Sequence, residues 1–257
     1  MIAMNEKSTS CRECGLCEVA PLDPNGDLNA IVESIVRRVV GEVLPGTADD
    51  FSIPVGVSAR HLHIRQDHLE ILFGPGHQLN RLRELNQPGE FAAQETVTVV
   101  GPKRRLFAEV RILGPVRSIT QVELSYTDGV YLGMELPYRL SGNIEGSAPL
   151  VLIGPKGVLH LSEGAIRAAR HIHMSPQDAQ RLGVENGRKV SVRSAGPMSV
   201  TFNEVIVRVG DGLNLQMHID TDEANAAGLR CGDPVQLMTD TLTVARNNPA
   251  IRLKKAM

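Results

Sequence analysis

Apolar residues recur at helical spacing from Leu28 to Leu44, at Ile31, Val32, Ile35, Val36, Val39, Val40 and Val43. Asn29, Glu33, Ser34, Arg37, Arg38 and Glu42 fill the other face, so 27–44 is predicted to be an amphipathic helix. Asp27 can cap its start, and Pro45-Gly46 ends it. Its many β-branched residues make it a poor helix alone, so it needs a partner surface. Residues 1–50 are therefore expected to be a flexible tail carrying a docking helix, with 46–50 as linker.

From Ile53 onward the pattern changes to short alternating or β-branched runs. Thr96–Val100, Leu106–Leu113, Thr120–Ser125, Leu150–Ile153, Lys189–Arg193, Ser199–Val209 and Pro234–Met238 predict strands. Gly-Pro pairs at 101, 114, 154 and 196 punctuate them. Ser175 precedes Pro176–Leu182 with Pro at the first helical position and Asp178 at the third, and Gly183 follows. That is a capped helix with a glycine stop. Asp220 and Gly228 frame a matching helix. The expected fold is mainly β with short helices: two β-barrel domains with helical caps, at 51–145 and 146–257.

Internal repetition carries the chemistry. Ala59-Arg-His61-Leu-His63-Ile is echoed 110 positions later by Ala169-Arg-His171-Ile-His173-Met. On a strand, residues i and i+2 share a face about 7 Å apart along the chain, whereas on a helix they diverge. Two such pairs offer four neutral imidazoles, the commonest metal ligand. A partial third copy follows His218, with the first glycine ten residues on and the second four later, as after His173. Gln216 stands there where the other copies carry their first histidine. His61, His63, His171, His173 and His218 are thus the candidate ligands. His68, His77 and His160 lack the repeated context and read as structural or surface residues.

A carboxylate is expected among these imidazoles. Glu123, Glu109 and Glu95 are the strand-borne candidates, and spacing alone does not choose between them. Six ligands can hold two metals with positions left open for catalysis. Histidine with carboxylate favours zinc. Arg117 offers a planar fork for phosphate or carboxylate, and Lys103, Arg104, Arg105 and Arg111 bias the region towards an anionic substrate.

Bulk properties narrow the field. The chain has 257 residues, 42% of them hydrophobic, and a formal net charge of −2. These values imply a globular core and no strong attraction to nucleic acid or anionic membrane. With aromatics at 3%, stacking platforms for single-stranded nucleic acid are not expected. No apolar run approaches the ~20 residues of a membrane span. Cys11, Cys14 and Cys17 can bind a metal or cluster only with a fourth ligand, and Cys231 is far away in sequence. Phosphate loops, dinucleotide fingerprints, nucleophile elbows and the His-Glu-x-x-His helix are not found.

Four motifs in order carry a resemblance. Ser58-Ala-Arg-His-Leu-His63, Leu113-Gly-Pro-Val-Arg117-Ser-Ile-Thr-Gln-Val-Glu123, Arg170-His-Ile-His-Met174 and Gln216-Met-His218-Ile-Asp-Thr-Asp-Glu-Ala-Asn225 together resemble the PduL-type phosphate propanoyltransferases, the phosphotransacylases of bacterial microcompartments. The resemblance covers roughly residues 52–240. It implies two β-barrels with short helical caps, and reversible conversion of acyl-CoA plus phosphate to acyl phosphate plus CoA. It implies two zinc ions held by His61, His63, Glu123, His171, His173 and His218, so it favours Glu123 over Glu109. Arg117 matches the phosphate-binding arginine, and Ser58, Arg111, Leu113 and Asn225 sit where coenzyme A is contacted. Helix 27–44 looks like an encapsulation peptide for shell or cargo proteins, implying residence in a microcompartment lumen; a homo-oligomer is expected as well. The cysteine-rich stretch before it departs from the plainest family form. Two other classes remain open: a metal-dependent hydrolase of an anionic ester or thioester, and a non-catalytic zinc-binding shell-associated protein.

Overall fold

A computed structural model describes residues 52–238. The predicted helix 27–44, the linker and Cys11, Cys14 and Cys17 lie outside the described residues.

In chain order, β1 (Ser52–Ser58) leads into β2 (His61–His63) and α1 (Gln66–Phe73). Then come β3 (Arg81–Glu84), β4 (Phe91–Val100), β5 (Leu106–Gly114), β6 (Gln121–Glu123), α2 (Tyr126–Leu132) and the short β7 (Tyr138–Arg139). β8 (Ala148–Ile153) and β9 (Val158–Ala168) lead into β10 (His171–Met174) and α3 (Pro176–Leu182). β11 (Lys189–Ser194), β12 (Thr201–Val209), β13 (Gln216–Asp220), α4 (Thr221–Ala227) and β14 (Pro234–Met238) complete the described chain.

The strands close two six-membered rings, as expected for a two-barrel fold. One barrel runs β9-β6-β2-β5-β4-β8 and back to β9, with β3 added beside β4 and β7 beside β9. The other runs β1-β13-β10-β12-β11-β14 and back to β1. Ring position by ring position the two barrels correspond, including a parallel pair on each side of the β6/β2 and β13/β10 hairpin-like contacts.

The strand pairing departs from the expected division at 145/146. β8 and β9 lie beyond that boundary yet belong to the first barrel, and β1 lies before it yet belongs to the second. The reason is a reciprocal exchange. The strand that immediately precedes each His-x-His segment closes the other barrel, so Ala59-Arg60 and Ala169-Arg170 are crossing points. Burial agrees with the pairing. Ile53 and Val55 of β1 are wholly buried in the second core with Ile172, Met174 and Met217. Ala165 of β9 is buried in the first core with Leu62, Ile112 and Val122.

Three helices share one local design. Ser125, Ser175 and Asp220 each accept a hydrogen bond from the backbone N–H three residues on, and the acidic residue there bonds back. These capping boxes satisfy helix-end donors that would otherwise be orphaned. Gly133, Gly183 and Gly228 end the helices in the left-handed conformation, where glycine has no steric penalty. In each case the cap stands two residues after Glu123, His173 or His218, so the helix start also sets where the strand bearing that residue stops. α1 differs: its cap position is Arg65, with no side-chain cap bond. α2 is not among the predicted helices, although Ser125, Asp128 and Gly133 repeat the frame of the other two.

Candidate metal centre

Each barrel places three polar side chains on one patch. His61 and His63 project from the same face of β2, with ring centroids 5.3 Å apart. β6 runs antiparallel beside β2 and sets Glu123 opposite His61. His171 and His173 project likewise from β10, 4.7 Å apart, and β13 sets His218 opposite His171. The His218 ring lies 5.0 Å from His171 and 4.9 Å from His173. The structural partner of Gln216-Met-His218 is therefore Gln121-Val-Glu123, since Gln216 faces His173 as Gln121 faces His63. This corrects the alignment of Gln216 and His218 with the His-x-His pairs. That alignment holds for the helix and glycine that follow, whereas strand partnership depends on register, which spacing does not encode.

Hydrogen bonds orient the rings. His61 Nδ1 donates to the Ala59 carbonyl at 2.8 Å and His171 Nδ1 to the Ala169 carbonyl at 2.9 Å, the same contact at each crossing point. A carbonyl only accepts, so the proton is on Nδ1 and the Nε2 lone pair is left for another group. His63 Nδ1 lies 3.3 Å from the Leu113 carbonyl. Glu123 Oε1 accepts from Gln121 Nε2 at 2.6 Å, and Gln121 is held in turn by Ser141 Oγ at 2.9 Å and the Gly142 N–H at 2.7 Å.

The electrostatics favour metal-ready ligands. Burial, then the neighbouring His61 and Arg117, lowers the His63 pKa to about 3. Burial, then His171 and Arg208, lowers His173 to about 3. Burial also lowers His171 and, with His171 and His173 beside it, holds His218 well below the ordinary imidazole value. For Glu123 burial pushes upward, but His61, His63 and the Ser141 hydroxyl outweigh it and the carboxyl stays below the usual range. Neutral imidazoles and an ionised carboxylate are the forms that bind metal.

The donors also fit a metal geometrically. His61, His63 and Glu123 each present one ligand atom, and these atoms lie within 4.8 Å of one another. His61 Nε2 and Glu123 Oε2 are 3.6 Å apart, close to the roughly 3.3–3.5 Å between two ligands of a tetrahedral zinc with ~2.0–2.2 Å bonds. In the other triad, His173 Nδ1 and His218 Nε2 are buried without a hydrogen-bond partner. Such atoms are costly unless something binds them.

The remaining predicted residues fall as follows. Ser58 lines a cleft with Glu123, His171, His218 and Asp220, drawn from both barrels. Arg117 follows the end of β5; its backbone N–H bonds the Ile64 carbonyl at 2.8 Å, and its guanidinium meets Glu90 at 2.6 Å. Leu113 supplies the carbonyl beside His63. Arg111 pairs with His61 across β2 and β5, but its Nη1 donates to the Ala93 and Gln94 carbonyls at 3.0 and 3.1 Å. Asn225 is exposed on α4 and is not among the cleft-lining residues. Glu95 is bound by His77 and Asn80, and Glu109 is exposed. His68 bonds Thr120 Oγ1 at 2.8 Å and His160 is exposed. Gln121 and Arg208 are not among the residues that the sequence pattern predicts. Gln121 was detectable once Glu123 was chosen, because i and i+2 share a strand face. Arg208 pairs with His173 across β10 and β12, and only register reveals it.

Comparison with known proteins accounts for most of the described chain. The family model for phosphate propanoyltransferase matches residues 54–230. A phosphate propanoyltransferase of Lachnoclostridium phytofermentans is 51% identical over 81% of this chain and 97% of its own. One from Thermotoga maritima is 46% identical over 81% and 99%, and one from Salmonella typhimurium 48% over 77% and 91%. The two-barrel scaffold is therefore that of a phosphate acyltransferase, an enzyme of the transferase class. The chain belongs to the phosphate propanoyltransferase family.

Among the described residues no helix is long and apolar enough to cross a membrane.

Proposed function

We propose that the enzyme interconverts a short-chain acyl-CoA, propanoyl-CoA or a near homologue, and phosphate with acyl phosphate and CoA. The observation that carries the mechanism is the pair of matched triads, the second of which holds two buried imidazole nitrogens without partners. His61, His63 and Glu123 would hold one zinc, and His171, His173 and His218 a second. Bound there, zinc would supply Lewis acidity for the thioester carbonyl or for phosphate.

The chain's own groups do the rest. Arg117 holds phosphate in its planar fork and neutralises charge, so its contribution is positioning. Carbonyls of Ala59 and Ala169 hold His61 and His171 with Nε2 forward. Ser58, Arg111, Leu113 and Asn225 are the proposed contacts for CoA. Thiolate leaves readily, and no covalent acyl-enzyme is needed. Cys231 instead accepts a hydrogen bond from the Val57 N–H at 3.3 Å. Acyl chain length is a weak choice, since one methylene is worth only ~1–3 kcal/mol in a pocket. Helix 27–44 would direct a homo-oligomer to shell or cargo proteins in a bacterial microcompartment lumen.

The test is thiol release from propanoyl-CoA by zinc-loaded protein, with and without phosphate. Release that requires phosphate is the expected result. Release indifferent to phosphate would mean a hydrolase, and no release a scaffold; either sinks the proposal.

A further inference from the structure

We infer that Glu90 is a positioning residue for Arg117, held in place by a hairpin tip that is clamped onto the opposite barrel. The inference rests on the reading of Arg117 as the phosphate-binding residue.

The tip is the β3–β4 connection, Leu85-Asn-Gln-Pro-Gly-Glu90. Pro88 and Gly89 occupy the centre of a tight turn: Gly89 has φ 80°, and the Glu90 N–H bonds the Gln87 carbonyl at 3.2 Å. Proline then glycine at the two central positions is the chemistry of a type II turn. The Leu85 N–H bonds the Glu90 carbonyl at 2.9 Å, so Glu90 is pinned on both backbone sides. A Cβ at Gly114 would lie 2.2 Å from the ring of Phe91, the residue after Glu90. The segment bearing Glu90 and the segment leading to Arg117 therefore meet closely at that glycine.

The other side of the tip belongs to the second barrel. The Gln87 side chain is buried and exchanges two hydrogen bonds with the backbone of Asn214, each 3.1 Å. Asn214 Nδ2 also donates to the Asn86 carbonyl, and Asn86 Nδ2 donates to Gln216 Oε1 at 3.0 Å. Gln216 stands directly opposite His173. One six-residue tip thus touches the strand bearing His218 at one end and the Arg117 guanidinium at the other.

The Glu90–Arg117 contact is single-ended. Only Arg117 Nη2 bonds Glu90, at 2.6 Å, and both side chains are about one-third exposed (33% and 31%). A guanidinium has five donors, so the carboxylate holds one corner of the fork and leaves other N–H groups for phosphate. An exposed ion pair adds little stability, so its contribution is expected in phosphate binding.

The experiment compares Glu90→Ala, Glu90→Gln, Arg117→Ala and the double variant Glu90→Ala/Arg117→Ala by steady-state kinetics, with metal content and thermal melting measured for each. Glu90→Ala is expected to raise the phosphate KM several-fold, about what one partly exposed ion pair supplies. The KM for propanoyl-CoA should stay within about twofold. Glu90→Gln keeps an acceptor and should recover much of the loss. In the Arg117→Ala background, removing Glu90 should add nothing. If Arg117→Ala raises the phosphate KM while Glu90→Ala leaves it unchanged, Glu90 is not the positioning residue. A lowered phosphate KM in Glu90→Ala also overturns the inference, because Glu90 would then be a competing counter-ion. If Arg117→Ala itself leaves phosphate dependence unaltered, the parent reading fails and this one with it.

Discussion

The two triads are built by the same rule and finished with different chemistry. Each uses a His-x-His strand, a crossing-point carbonyl on the first ring, and a third group opposite that ring on the antiparallel neighbour. In the first barrel the third group is Glu123, with its own support from Gln121. In the second it is His218, whose ring stacks on His171 at 6° and whose Nε2 has no partner. The first site therefore brings a negative charge, and the second is neutral throughout. A shared backbone design with unequal charge would give ions bound at the two triads, as proposed above, different affinities.

The largest expected effect comes from removing the third group from either side. Glu123→Ala and His218→Ala should each drop zinc content from two ions per chain to one. Each should lower turnover by more than about 100-fold, the upper end of what losing only a supporting partner costs. Metal analysis and phosphate-dependent thiol release check this together. Full retention of two ions in either variant would break the equivalence of the triads.

Strand exchange gives the next largest effect. Ile53 precedes the first His-x-His segment in sequence but is buried in the second core. Ile53→Ala should destabilise the protein by about 2–5 kcal/mol. Hydrogen exchange should report the loss in β10–β14 before β2–β8. Loss seen first in β2–β8 would mean that β1 belongs with its chain neighbours.

This exchange also shows what the sequence makes legible. Strand positions, the capped helix Pro176–Leu182 and the facing of His61 with His63 follow from local periodicity and cap chemistry, and all are present in the structure. Partnership is not local. Nothing in Ser52–Ser58 marks it for the second barrel rather than the first, because either core accepts its alternating apolar face. Glu123 could not be separated from Glu109 and Glu95 by spacing; the register of β6 on β2 makes that distinction. Motif resemblance supplies Glu123. It could not supply Arg208 or Glu90, whose places depend on contacts between segments far apart in the chain, whereas Gln121 follows from Glu123 by sharing its strand face.

Acid should separate the triads in the metal-free protein. His171, His173 and His218 have lowered pKa values, His173 to about 3, while in the first triad His63 is lowered to about 3 beside a carboxylate. An imidazole that stays neutral in the native state but protonates near 6.5 when unfolded favours unfolding as pH falls. Stability is therefore present above pH 6.5 and lost progressively below it, with a limiting slope of about 1.4 kcal/mol per pH unit for each such group. Glu123 is also lowered and adds loss of the same sign below its ordinary 4.5. Asp220 and Glu223 are raised by burial and act in the opposite sense. Between pH 6.5 and 4.5 the second triad should weaken first. Melting of chelator-treated protein with residue-resolved exchange measures this, and earlier loss around His61 and His63 would reverse the ranking.

The smallest effect sharpens the comparison most, because it concerns two glutamines at matched positions. Gln121 is buried and holds Glu123, whereas Gln216 points to Asn86 across the barrels and fills the space that a Cβ at Gly56 would need. Gln121→Leu removes an outer partner of a ligand and should weaken zinc at the first triad by about 10–100-fold, leaving the second nearly intact. Gln216→Leu removes one exposed interbarrel hydrogen bond, so about tenfold or less is expected, and in phosphate KM rather than metal affinity. Zinc titration against a competing chelator, alongside phosphate kinetics, distinguishes the two outcomes. If both variants weaken zinc equally, the matched positions share one function, and the difference between a supported carboxylate and an unsupported imidazole is not what distinguishes the triads.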